Sequence, residues 1–234
     1  MFAIHPLFTL SAYSFGMQKV LAEFIGTFLL ALAVVGSGSM AQLLTQDVGL
    51  QLLINAAATA GVLWLIINLF APISGAHFNP AVSALARYRR ELTSLHLLQF
   101  VAAQIAGAIA GTLCANALFH REFFQISEHS RTGWNLHLSE VIATAGLVFL
   151  IFHLVEIGKE KLIPAGVAAW IFSAYFFTSS TSFANPAMTI GRMHTESFAG
   201  IAPQSAVMFI PFQIVGAILG YAIYKMINKK AAQK

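Results

Sequence analysis

Six stretches of this chain, 18–44, 49–71, 94–118, 138–157, 162–181 and 205–227, carry almost no charge. Several of them approach the ~20 apolar residues that a bilayer-crossing helix needs, and all six are expected to be spans. A greasy soluble core does not explain them, because 58% hydrophobic and 9% charged residues over a chain of 234 leave too little polar surface to cover a globule. Between the spans only 119–137 and two segments containing Asn-Pro-Ala are of any length. The expectation is one integral membrane domain over residues 17–228, ahead of a short tail at 229–234.

Residues 1–16 read as an extension: they lack a Lys or Arg before their apolar run, which argues against a cleaved secretory signal, and Met17 offers a second start. Lys19, Arg87, Arg89, Arg90, Lys159, Lys161, Lys225, Lys229, Lys230 and Lys234 fall at one set of span ends, leaving Arg121, Arg131 and Arg192 elsewhere. By the positive-inside rule the first set, with both termini, is expected in the cytoplasm. That asymmetry accounts for the formal charge of +4 without a nucleic-acid partner, for which no motif is present. The single Cys114 excludes an intrachain disulfide and reads as a packing residue; no metal or cofactor is expected.

The chain repeats itself. "AEFIGTFLLAL" from residue 22 and "SEVIATAGLVF" from residue 139 place Glu, Ile and Thr at the same offsets, as Glu23, Ile25, Thr27 and Glu140, Ile142, Thr144. Each half continues to an Asn-Pro-Ala and closes with a third span, giving units at 17–118 and 138–228 on either side of the loop 119–137. Three crossings per unit invert the second unit, a plan known for transport sites at the bilayer midplane. Glu23 and Glu140, expensive in a membrane, are expected to accept N–H bonds from each unit's re-entrant backbone; a proton relay is the alternative.

Asn is among the best helix N-caps and Pro suits the first helical position, so Asn79-Pro80-Ala81 and Asn185-Pro186-Ala187 each read as a helix start. The segments that follow, "PAVSALARY" and "PAMTIGRM", are too short to cross a bilayer. They are expected to be half-helices meeting N-terminus to N-terminus at the centre of a pore. There, positive dipole ends and two Asn amides would favour a neutral polar solute over a cation. The preceding backbone, Gly75, Ala76, His77 and Phe78 in one half and Thr181 to Ala184 in the other, with Phe183 among them, would present carbonyl acceptors.

The duplicated Asn-Pro-Ala, the run "ISGAHFNPAV" and the Glu of spans one and four resemble the aquaporin and aquaglyceroporin family over residues 17–228. The resemblance implies six transmembrane helices plus two re-entrant half-helices in an inverted repeat. It also implies a homotetramer with one pore per subunit, and passive flux of water or small uncharged solutes. "GAIAG" at 107–111 and "GAILG" at 216–220 have the small-xxx-small spacing of close helix contacts, between subunits or within one.

The family's selectivity ring, carried over by spacing from the Asn-Pro-Ala motifs, falls on Thr59, Ser173, Ser182 and Met188. Met188 stands where the family almost always has Arg, so this resemblance implies a wide ring without that charge. Thr in span two, a non-Arg residue after the second motif and "SFANPA" look like the bacterial aquaporins of arsenic-resistance operons, which implies hydroxylated metalloid solutes such as arsenite or methylated arsenicals. Glycerol, urea, ammonia, boric acid and water remain open. Arg192, one turn beyond Met188, reads as a vestibule charge, or as a cap of the half-helix or partner of Glu196.

Readings outside the channel class are a proton-coupled transporter, a non-conducting junction protein on the same fold, and an enzyme using Ser74 beside His77. His120, His129 and His137 share the outer loop without metal-ligand spacing.

Overall fold

The computed structural model describes residues 12–228, whose regular elements are all helices, with no strand among them. In the first half α1 (Ala12–Leu44) and α2 (Val48–Ser74) are followed by the short α3 (Pro80–Tyr88) and by α4 (Ser94–Leu118). In the second half α5 (Trp134–Glu156) and α6 (Ile163–Phe177) are followed by the short α7 (Pro186–Gly191) and by α8 (Pro203–Asn228). The expected tail at 229–234 and residues 1–11 of the expected extension lie outside the described residues. Residues 12–16 are continuous with α1, so a boundary at 17 falls inside a helix.

Five of the expected spans are long and apolar enough to cross a bilayer. The sixth, α6, has 15 residues, about 22 Å at the α-helical rise, and ends before the expected 181. The reason is local: Thr178 adopts extended backbone while its hydroxyl bonds back to the Ala174 carbonyl at 2.6 Å, and the chain turns into its re-entrant segment. Elsewhere the starts follow ordinary capping, with Asp47 accepting from Leu50 N at the head of α2 and Thr93 from His96 N at the head of α4.

Helix α4 packs on α1 and α8 on α5, and the two halves join through α2 against α6 and α7 against α4. The small-residue motifs serve the first two contacts. A methyl on Gly107 or Gly111 would drive into the carbonyls of Phe24 and Phe28, and one on Gly216 or Gly220 into those of Val141 and Ala145. Of the two uses left open by the sequence, packing within one subunit is the one these glycines serve. Gly191 similarly lets α7 lie against Ala108 of α4.

The outer surface is apolar, with Trp64, Leu65 and Leu69 of α2 and Val215, Ile218 and Leu219 of α8 all exposed, as suits a lipid solvent. At one end of the bundle Arg89 stacks 4.9 Å from the Phe152 ring and donates to Tyr224, whose hydroxyl bonds Glu156 at 2.6 Å. At the other end the loop 119–133 is strapped down by Arg121, which donates to Gln42 Oε1 at 2.8 Å, and by Asn116, which donates to the Phe123 carbonyl at 3.4 Å.

Candidate functional site

The site begins with two buried carboxylates. Glu23 accepts from Ser74 Oγ at 2.6 Å, His77 N at 3.0 Å, Phe78 N at 2.6 Å and Gln104 Nε2 at 2.7 Å. Glu140 accepts from Ser180 Oγ at 2.6 Å, Phe183 N at 2.9 Å, Ala184 N at 2.9 Å and Gln213 Nε2 at 2.6 Å. The sets correspond donor for donor. An unpaired carboxylate here would cost several kcal/mol; charge-assisted bonds of roughly 1.5–3 kcal/mol each offset that.

These bonds hold backbone that the sequence alone disfavours. Ala76 and Phe78 in one segment, and Thr181, Ser182 and Ala184 in the other, have positive φ between 47° and 61°. Left-handed backbone costs a non-glycine residue roughly 1–2 kcal/mol and persists only where its surroundings over-determine it. The two glutamates provide that constraint.

With the loops so held, the Asn-Pro-Ala motifs meet and interlock. Asn79 Nδ2 donates to the Ala184 carbonyl at 2.8 Å and Asn185 Nδ2 to the Phe78 carbonyl at 2.7 Å. Each Oδ1 caps its own helix, Asn79 from Ala81 N at 3.0 Å and Asn185 from Ala187 N at 3.0 Å. One amide proton per Asn is thereby used; the other has no acceptor among the described residues, and both side chains line a cavity of about 630 Å³. The carbonyls of Phe78 and Ala184, expected to serve solute, each already accept one bond from the opposing Asn.

The cavity runs from Glu91, Glu160 and Lys161 at one end, past the Asn pair, to Arg192 at the other. Thr59, Tyr175, Ser182 and Met188 lie on its wall, all buried in the packed chain. Thr59 Oγ1 and the Tyr175 hydroxyl are 3.1 Å apart, and the Ser182 hydroxyl has no protein partner. Arg192 donates from Nε to the Ala199 carbonyl at 2.5 Å, with its guanidinium 3.3 Å from the centroid of Phe183. Arg131 approaches the same ring at 5.2 Å and donates to the carbonyls of Gly200 at 2.9 Å and Phe198 at 3.2 Å. Burial lowers the pKa of Arg131, with the charge of Glu140 acting against the shift.

The pattern matches the family model described as "Major intrinsic protein" over residues 9–182. The chain belongs to the major intrinsic protein family. It is 41% identical over 214 residues to "Aquaglyceroporin AqpS" of Rhizobium meliloti, covering 92% of this chain and 91% of that one. It is 27% identical to "Aquaporin Z" of Brucella melitensis, covering 89% of this chain and 97% of the relative. Its fold matches the X-ray structure of the aquaglyceroporin from Plasmodium falciparum with a TM-score of 0.66 at 19% identity, covering 92% of this chain and 96% of that one. It is an integral membrane channel protein of the aquaglyceroporin type.

Within this major intrinsic protein several expectations need adjusting. Ser173 does not line the cavity: it is exposed, while Tyr175, two residues further along α6, is buried at the wall. Counting twelve residues back from Asn185 chose the wrong face, since two helical positions rotate a side chain by about 200°. Arg192 does not pair with Glu196, whose carboxylate instead accepts from Glu128 N and lies 3.9 Å from His129 Nδ1. Ser74 and His77 do not form a nucleophile pair, because Ser74 donates to Glu23 while His77 Nδ1 faces Ser83 Oγ at 3.0 Å. The three histidines of the expected outer loop are dispersed: His129 is beside Glu196, His120 is exposed, and His137 lies in α5, stacked on Phe212 with centroids 4.7 Å apart.

Gln104 and Gln213 belong to the same loop-holding network, which the spacing of glycines concealed. They open the matching runs "QIAGAIAG" and "QIVGAILG", and each also donates to a half-helix hydroxyl, Ser83 at 3.0 Å and Thr189 at 2.9 Å.

Proposed function

We propose that this channel passes small, uncharged, hydroxylated solutes through a ring made by Thr59, Tyr175, Ser182 and Met188, with glycerol-sized solutes the core class. The observation that carries the reading is the pair of donors on the cavity wall without a protein acceptor, namely the second amide proton of Asn79 and of Asn185. A solute with oxygen acceptors replaces its water shell there, whereas a cation loses hydration that no carboxylate beside the Asn pair restores. Met188 adds a flexible, neutral thioether in place of a fixed cation, which leaves the ring adaptable in width.

Arsenous acid and related metalloid acids extend the class, because they offer several hydroxyls on a compact centre, as glycerol does. The resemblance of "SFANPA" and Thr59 to arsenic-operon aquaporins points the same way, and the relative from Rhizobium meliloti is named an aquaglyceroporin. The working form is a homotetramer in the plasma membrane with both termini in the cytoplasm, the end carrying Arg87, Arg89 and Lys161 facing inward.

Stopped-flow light scattering on proteoliposomes tests this with water, glycerol, urea and arsenous acid. Wild type is expected to pass glycerol and arsenous acid, and Met188→Arg to cut both about tenfold, the loss expected when a fixed, desolvated charge narrows the ring. Flux of water alone refutes the wide ring. No flux returns the chain to a closed junction protein, and flux that requires a proton gradient returns it to a coupled transporter.

A further inference from the structure

Arg192 is the cation of this pore that the ring spacing does not account for. It is 3% exposed, its Nε is tethered to the Ala199 carbonyl, and its terminal nitrogens have no hydrogen-bond acceptor among the described residues. They are not among the buried unpartnered atoms either, and the residue lines the cavity, so these N–H groups face its space. No carboxylate lies within salt-bridge distance of it among the described residues. A second guanidinium, Arg131, stands on the same Phe183 ring, so this mouth holds two positive charges, neither within salt-bridge distance of a carboxylate among the described residues.

The inverted repeat supplies an independent check on orientation. Counting from Asn79 and Asn185, the counterpart of Met188 is Val82 and that of Arg192 is Ala86, and all four residues line the cavity. The seventh position after Asn therefore faces the pore at both ends, carrying a methyl at one end and a guanidinium at the other.

We propose that Arg192, one turn beyond the ring, is a specificity-determining residue that donates to the oxygens of entering solutes, holds small oxyanions at the mouth and excludes cations. The structure equips it for this by spending only Nε on the protein. The guanidinium plane stays fixed by Phe183, and the remaining N–H groups form a fork that fits oxygen pairs. This rests on the channel reading, because a closed protein has no solute to select.

The test uses full-length protein in vesicles, comparing wild type, Arg192→Gln and Arg192→Lys. Glycerol flux reports the channel itself, an entrapped pH dye reports proton leak, and external methylphosphonate serves as the oxyanion probe. Wild type is expected to conduct glycerol, leak few protons and be slowed by methylphosphonate. Arg192→Gln should conduct glycerol several-fold more slowly, since a donor to its oxygens is gone, lose the block by methylphosphonate and leak protons about tenfold faster, as expected for removing one charge at the pore wall. Arg192→Lys should keep the proton barrier and bind the probe several-fold more weakly, since a point charge lacks the fork.

A glycerol-conducting Arg192→Gln with unchanged leak and unchanged block overturns the proposal and leaves Arg192 as a tether for Ala199. If that variant does not fold, Arg192→Lys decides alone: weaker block supports the proposal, and wild-type block refutes it. Absence of glycerol flux in wild type refutes the channel reading, and this inference falls with it.

Discussion

The two halves of the molecule share a frame and differ in what they hang on it. In each, Glu binds a serine five residues before Asn, two backbone N–H groups and a glutamine from the third span. Positive φ recurs at the same three positions before Asn: Gly75, Ala76 and Phe78 in the first half, Thr181, Ser182 and Ala184 in the second. The differences lie in the fittings. The first half relieves its tightest turn with glycine and continues α2 to Ser74, while the second places Thr181 at that turn and stops α6 at Phe177. Val82 and Ala86 are small where Met188 and Arg192 are large. The frame builds the crossing of the two motifs, and the unlike fittings make one mouth of the pore chemically distinct from the other.

The equivalence of the frames has its largest consequence at the carboxylates. Glu23→Gln and Glu140→Gln each set an amide NH2 against N–H donors and leave some of them unpaired. Each should cost roughly 3 kcal/mol or more, read as loss of monodisperse protein in detergent and a fall in unfolding temperature. Similar losses uphold the equivalence; a tolerated change at either site breaks it.

A smaller effect is expected at the crossing itself. Asn79→Ala and Asn185→Ala remove a cap and an inter-half bond, together worth about 2 kcal/mol. Asn185 should be the more sensitive, because its Oδ1 also accepts from Met188 N at 3.3 Å. Thermal unfolding of the purified variants gives the order, and a larger loss at Asn79 would contradict it.

The smallest test sharpens the difference between the turns. Gly75→Thr should cost about 1–2 kcal/mol, since φ is +91° there. Thr181→Gly should stay within about 1 kcal/mol of wild type, relief of strain offsetting the added freedom of the unfolded chain. Unfolding temperatures in the same detergent measure both, and equal responses would mean that the two turns are not strained alike.

Much of this is legible in the sequence. The apolar run lengths located the spans, and the matched offsets of Glu23 and Glu140 located the repeat. Asn-Pro-Ala marked both helix starts, because capping and proline geometry act within a few residues. Gln104 and Gln213 stand at matching offsets in their repeated runs, but the small-residue spacing beside them is the stronger local signal. Ser173 shows where spacing fails. Along α6 an uncertainty of two residues exchanges the pore for the exterior, and only packing against α2, where Thr59 meets Tyr175, settles the rotation.

The sequence by itself therefore determined the membrane class, the inverted halves, the two motifs and the carboxylates that hold their loops, since each depends on run length or on contacts repeated at fixed offsets. The tertiary structure decided which side chains face the cavity and which polar groups reach it unpartnered. Tyr175 rather than Ser173, and the open fork of Arg192, follow from helix rotation and from the Ala199 carbonyl and Phe183 ring that happen to lie beside it. Those neighbours come from distant parts of the fold, and no local pattern encodes their meeting.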